Sequence, residues 1–199
     1  MATATSLLDI IGAPAKPAKF AQSAIVVVDA QREYLDGSVP LSGIEDALVE
    51  IQKLLARGRA LSVPIFHVAH YTQPGAPIFN PDSPMSDIID AVRPVGDEPV
   101  VKKHLPSAFV NTDLEKYLKK TGRKEVVIAG FMTHMCINAT TRSAVDLGYA
   151  PTIIASACAT RDLPSPDGKV VSAETVHRTN LASLADLLAC VCSTSDELS

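Results

Sequence analysis

Apolar residues in this chain fall into two patterns: short unbroken β-branched runs, and longer stretches with helical spacing. Residues 24–29, Ala-Ile-Val-Val-Val-Asp, are a run of the first kind. Such a run marks a strand buried on both faces of a parallel sheet. In residues 44–57 the apolar positions Ile44, Ala47, Leu48, Ile51, Leu54 and Leu55 recur at helical spacing, and Gly58 supplies a stop. The same reading predicts strands at 64–69, 99–102, 125–130, 152–155 and 189–193. It predicts helices at 85–92, 112–120, 136–147 and 170–188, and a long Pro-, Gly-, Asn- and Asp-rich loop over 71–83. Strand and helix alternate throughout. The expected fold is therefore α/β, a doubly wound, Rossmann-type three-layer sandwich with a mostly parallel six-stranded sheet. Residues 1–20 read as an irregular arm, 21–195 as one domain and 196–199 as a tail. In such a fold a ligand binds at the carboxyl ends of the strands.

Composition narrows the function classes. With 199 residues, 47% of them hydrophobic, the chain can bury a substantial core. A net charge of −4 without a basic stripe argues against a nucleic-acid partner. No apolar run approaches the ~20 residues of a membrane span. The segment MATATSLLDIIGAPAKPAKF lacks the cationic start and apolar run of a secretory signal, so a cytoplasmic address is expected. Cys136, Cys158, Cys190 and Cys192 do not suggest a disulfide framework, and the C-x-C at 190–192 lacks the second half of a zinc ligand set.

Three polar side chains stand at predicted strand ends. Asp29 follows the first strand, where a turn or cap residue is the bland reading. Ala30-Gln31-Arg32-Glu33 stands where a dinucleotide site needs G-x-G-x-x-G, so no nucleotide cofactor is expected. Lys103 follows the third strand. Neighbours on an extended chain face opposite ways, so only one of Lys102 and Lys103 should reach a site. Cys136 follows the fourth strand; as a lone helical cysteine it could be a small buried hydrophobe. In a first helical turn beside a cation, however, a thiol pKa falls from about 8.5 to roughly 3.5–7.5. With a carboxylate and an ammonium nearby, that is the equipment of a thiol nucleophile.

The ordered set D-x-Q at Asp29 and Gln31, K-x-x-x-S-A-F at Lys103 to Phe109, and G-F-M-T-H-M-C at Gly130 to Cys136 resembles the isochorismatase-like cysteine hydrolases. T-T-R-S-A-V-D-L-G-Y after Cys136 and A-C-A-T-R-D at Ala157 to Asp162 extend the likeness over most of the chain, from about Ala24 to Ser193. The resemblance implies a catalytic triad of Asp29, Lys103 and Cys136. It also implies a cis peptide at Phe131-Met132, an oxyanion hole from the N–H groups of Met132 and Cys136, and a homodimer or homotetramer. Members cleave amide C–N bonds through the cysteine, or the vinyl ether of isochorismate with the aspartate as acid. Isochorismatases of siderophore and phenazine pathways typically carry glycine at the position of Cys136, which favours the amide reading here. Nicotinamidases of the family bind a metal after the second strand. His67 and His70 lie there, but the D-x-H pattern is missing, so no metal is expected.

Amide hydrolysis of a small molecule through a Cys136 thioester is the expected function. Vinyl ether hydrolysis is the alternative, and a catalytically inactive binding module a second one. Gln31 is expected to steady Asp29 or the substrate. Tyr34, His70, Tyr71, Leu105, Phe109 and His134 are the expected substrate-binding residues, covered by the loop that carries Ile78 and Phe79. They suit a small, partly apolar or ring-shaped substrate.

Overall fold

The apolar runs form a six-stranded, wholly parallel sheet in the computed structural model, which describes residues 4–199. The first three residues of the expected N-terminal arm lie outside the described part. In chain order the elements are α1 (Leu7–Ile10), β1 (Ser23–Val28), α2 (Ile44–Ala60), β2 (Ile65–His70), β3 (Val100–Lys103) and α3 (Leu114–Thr121). There follow β4 (Glu125–Phe131), α4 (Asn138–Asp146), β5 (Ala150–Ala159), β6 (Leu163–Pro164), β7 (Val170–Val171), α5 (Ala173–Ala185) and β8 (Cys190–Cys192). The strand order is β3-β2-β1-β4-β5-β8, with β6 and β7 a separate hairpin. From β1 the chain winds outward through β2 and β3, then returns to β4 on the other side of β1 and winds the opposite way. The cleft between β1 and β4 is therefore the topological switch point, where ligands bind in open α/β sheets.

The central strands are buried on both faces because helices cover both. Ile25 and Val27 of β1 pack with Ile44, Leu48, Ile51 and Leu55 of α2. Ala24, Val26 and Val28 pack with Leu114 and Leu118 of α3, Ala144 of α4 and Leu181 and Leu184 of α5. The apolar stripe predicted for α2 is the stripe it buries, with Glu45 and Asp46 in its first turn and Arg57 and Arg59 in its last, matching the helix dipole.

Four local expectations are corrected. The helix expected at 85–92 is two 3-10 turns, Pro84–Ser86 and Asp90–Val92. The segment between them is extended because Arg32 N–H donates to Asp87 O and Ile89 N–H to Ala30 O, which leaves those groups unavailable to a helix. The last helix starts at Ala173, not 170, because Val170–Val171 pair with Leu163–Pro164 and Ser172 caps the first turn through Thr175 N–H. β5 runs to Ala159, well past the predicted 155, as its pairing with β4 resumes at Cys158 after a bulge. Cys136 is not in the first turn of an α-helix: it sits in a single π-turn, Thr133–Ile137, that leads into α4.

Candidate active site

Asp29 leaves the end of β1 with a left-handed backbone, φ 51°, fixed by donation of its N–H to Val68 O at 2.8 Å. Asp is among the few non-glycine residues that tolerate this region. Gly130, at the end of β4, has φ 116°; a Cβ there would lie 2.0 Å from Val28 O, so only glycine lets β4 approach β1 this closely. The Phe131–Met132 peptide is cis, and the π-turn with Cys136 follows.

Lys103 ends β3, two strands away from β1. At ~4.8 Å per strand that is about 10 Å across the sheet. Only a long side chain on the inward phase of the strand bridges such a gap. Exposure alternates along β3, so Lys103 is fully buried while Lys102 lies outside, its Nζ over the Tyr71 ring. Lys103 Nζ lies 2.8 Å from Asp29 Oδ2 and 3.3 Å from Cys136 Sγ, and it donates to Leu105 O at 3.0 Å. His70 Nδ1 is a fourth neighbour at 3.0 Å. The loop after Lys103 is tied to α4: Ala108 N–H donates to Thr140 Oγ1 at 3.0 Å and Ser107 Oγ to Ser143 Oγ at 2.8 Å. Those bonds give S-A-F and T-T-R-S a shared purpose, fixing the lysine's loop to the helix that the cysteine turn enters.

The electrostatics differ from the expectation of a depressed thiol. Burial, and then the adjoining Asp29 carboxylate, push Cys136 up to about 12, against the pull of Lys103. Burial raises Asp29 to about 6, with Lys103 opposing. The resting cluster is thus a thiol beside a carboxylate, and a thiolate forms only if Asp29 accepts its proton. Neither carboxylate oxygen of Asp29 makes a well-aligned hydrogen bond among the described residues, although Oδ2 forms the close ion pair with Lys103. A buried polar group left in that state costs ~1–3 kcal/mol, which points to a role in binding or reaction.

The other expected site residues divide. Tyr34 is buried, with its ring edge-on to Phe79 at 5.1 Å and Phe131 at 6.0 Å. Burial, then the charges of Asp29 and Cys136, push its hydroxyl well above the ordinary value, so it remains a donor. Phe79 is held over the site at φ 51° by donation of its N–H to the buried Glu33 carboxylate. Tyr71 is half-buried and its N–H donates to Lys103 O at 2.9 Å. Leu105 contributes its carbonyl to Lys103 and leaves its side chain exposed. His134 is half-buried, 2.6 Å from Thr160 Oγ1. Gln31 N–H donates to Asp29 O at 2.8 Å, but its side chain reaches neither the Asp29 carboxylate nor an open cleft: the amide is spent on the backbone of His70 and Ser86. Phe109 stacks on Tyr149 at 5.9 Å, in the core towards the amino end of β5, and so is not placed to touch a ligand.

His67 and His70 are three residues apart on β2 and so face opposite sides of the sheet. His67 Nε2 pairs with Glu98 Oε2 at 2.9 Å, while His70 turns to Lys103. Among the described residues no cluster of three or more His, Cys, Asp or Glu could hold a metal. A surface cavity of about 410 Å³ beyond β5, lined by Gly43, Asp46, Ser156, Thr160, Glu174 and His177 among others, contains none of the three buried side chains.

One charge beside the cleft was not singled out from sequence. Arg161 acts electrostatically on both Tyr34 and His134, and its buried Nε has no hydrogen-bond partner among the described residues. The A-C-A-T-R-D motif was the available signal.

The Isochorismatase domain model matches residues 23–196. The chain belongs to the isochorismatase family. A solved isochorismatase from Pseudomonas putida superposes with a TM-score of 0.93 at 36% identity, covering 98% of this chain and 99% of that one. A secreted isochorismatase effector of Verticillium dahliae is 34% identical over 96% of this chain and 98% of its own length. A ureidoacrylate amidohydrolase of Pseudomonas savastanoi is 25% identical over 68% of this chain and 70% of its own. The protein is accordingly a hydrolase of the isochorismatase family, acting on a small molecule. Among the described residues no helix is long and apolar enough to cross a membrane.

Proposed function

We propose that the protein hydrolyses an amide-type C–N bond of a small molecule, with Cys136 as nucleophile, Asp29 as its base and Lys103 as the cation between them. The observation that carries this reading is one buried ammonium within 2.8 Å of a carboxylate oxygen and 3.3 Å of a thiol sulfur. As Sγ attacks the carbonyl carbon, its proton passes to Asp29 and a C–S bond forms. The N–H groups of Met132 and Cys136 hold the oxyanion, each such donor being worth ~3–4 kcal/mol. Collapse breaks the C–N bond, and Asp29 returns the proton to the leaving amine or ammonia. Water then attacks the thioester carbon, Asp29 takes its proton, and the acid departs as the thiol re-forms. No cofactor is needed.

Tyr34, His134 and Tyr71 form the walls of the substrate site, with Phe79 above them. Arg161 suits a substrate that carries an acidic group. Four free thiols fit a reducing cytoplasm, although one relative is a secreted protein. Exposed Leu105 and Met135, next to the site, suit a homodimer or homotetramer, which light scattering on the purified protein tests.

The decisive test is a panel of nicotinamide, small carboxamides, N-carbamoyl compounds and isochorismate, with intact-mass detection of an acyl-enzyme. Cys136→Ala should abolish amide turnover and the mass adduct together. Full amidase activity in that variant would overturn the covalent route. Vinyl ether cleavage is the second reading, favoured by an Asp29 raised to about 6, which makes it a competent proton donor. That activity should survive Cys136→Ala and vanish in Asp29→Asn.

A further inference from the structure

The three protons of Lys103 meet three acceptors. An ammonium carries three N–H donors. Leu105 O, His70 Nδ1 and Cys136 Sγ take them at 3.0, 3.0 and 3.3 Å, while Asp29 Oδ2, 2.8 Å from Nζ, is an ion-pair partner without an aligned hydrogen bond. Since the ammonium has nothing to accept with, Nδ1 of His70 is the acceptor, and the imidazole is neutral with its proton on Nε2. The environment enforces that form, for burial and the charges of Lys103 and His104 hold His70 down at about 4.

The imidazole is also fixed in place. Gln31 is fully buried and grips the His70 backbone on both sides: Oε1 accepts from His70 N–H at 2.7 Å and Nε2 donates to His70 O at 2.9 Å. The same Nε2 donates to Ser86 O at 2.7 Å, so the amide ties β1, β2 and the loop after β2 into one unit. Phe79 stands edge-on against the ring, 5.2 Å between centroids at 75°.

We propose that His70, held by Gln31, is a positioning residue: by accepting one N–H of Lys103 it keeps another aimed at the Cys136 sulfur. A thiol sulfur is a weak acceptor and cannot orient the ammonium by itself, so Nδ1 and Leu105 O fix the direction of its N–H groups. As the thiol proton moves to Asp29, the N–H already directed at the sulfur 3.3 Å away meets a thiolate and its bond strengthens. No bond to carbon or nitrogen changes, and Nζ keeps its three protons throughout. The inference rests on Cys136 being the nucleophile, and it assigns His70 to the lysine instead of to the substrate.

Alkylation of Cys136 by iodoacetamide across pH, read by peptide mass, tests this without a known substrate. His70→Ala should slow modification by up to ~10²-fold, the cost of a group displaced by about 1 Å. His70→Asn keeps an acceptor where Nδ1 stood and should restore the rate and the shape of the pH profile. A purely substrate-binding His70 would leave both variants alkylating like the parent, and that result overturns the inference. Should His70→Ala fail to fold, ¹⁵N shifts of the parent imidazole decide: a proton on Nδ1 overturns it, a bare Nδ1 supports it. If Cys136 of the unmodified protein reacts no faster than Cys158, Cys190 or Cys192, the nucleophile reading itself has failed.

Discussion

Asp29 combines a left-handed backbone with a carboxyl sealed from water beside an ammonium. Both features cost stability, and residues held in such states concentrate where binding or chemistry happens. Its raised value, about 6, sets the acid limit of any reaction in which it must accept the thiol proton. As pH falls through about 6 the carboxylate is protonated, and both turnover and Cys136 alkylation should fall with it. An ordinary aspartate would delay that limb to near pH 4. A profile flat down to 4.5, on protein shown folded by circular dichroism, would remove Asp29 from the role of base. Because the thiol is pushed up, no store of thiolate compensates for losing this base. Asp29→Asn should therefore lower amide turnover by ~10²-fold or more, the usual share of a general base.

Between elements, the site depends on how closely β1 and β4 approach and on how the loop after β3 is tied down. Gly130→Ala would set a methyl 2.0 Å from Val28 O, in a backbone region an L side chain rarely adopts. Overpacking of this kind should destabilise by ~3 kcal/mol or more. For a chain of this size that lowers the melting temperature by ~6–12 °C. A melt within a degree or two of the parent would show that the strands can part at no cost. Thr140→Val keeps the shape of that side chain but strands the Ala108 N–H in the interior, a loss of ~1–3 kcal/mol. Slower Cys136 alkylation at unchanged secondary structure would show the loop's hold on Lys103 loosening. The positions of the six sheet strands along the chain were legible in the sequence because fully buried parallel strands are unbroken apolar runs, and Asp29, Lys103 and Cys136 each stand at or just beyond the end of one. Positions set by tertiary partners were not legible. Residues 85–92 look helical by composition but are pulled straight by Ala30 and Arg32. Gln31 and Phe109 are members of the motifs themselves, and only the fold reveals that Phe109 serves the core and Gln31 a neighbouring backbone. The thiol's direction of shift was missed for a similar reason: sequence shows the cation nearby but not the degree of burial.

Across the whole molecule, one buried and three half-buried histidines are held in forms that resist protonation. Burial is the leading cause in each: His67, His70, His134 and His177 are all held below the ordinary imidazole value. A group whose folded value is depressed stabilises the fold above its unfolded value, near 6.5, and that contribution is lost as pH falls towards the folded value. The unfolded chain takes up protons in this window that the native chain refuses, so acid favours unfolding. Asp29 works the other way: its value is raised, so the native state binds a proton that the unfolded state releases between about 6 and 3.8. Four groups act against one, and the net slope is downward. Glu98 adds a later loss. Burial raises it, but Arg59, His67 and the Val95 N–H together hold it down at about 2, so its share is lost only as pH falls below the ordinary carboxylate range. The melting temperature should therefore decline steadily from pH 7 to pH 5 and more steeply below 4. Replacing His67 by Gln, which keeps a donor for Glu98 but cannot titrate, should flatten the upper part of that decline. Scanning calorimetry at half-unit steps checks both: a stability that stays level or rises on acidification would mean that these imidazoles protonate in place and that the packing around them is looser than the hydrogen bonds imply.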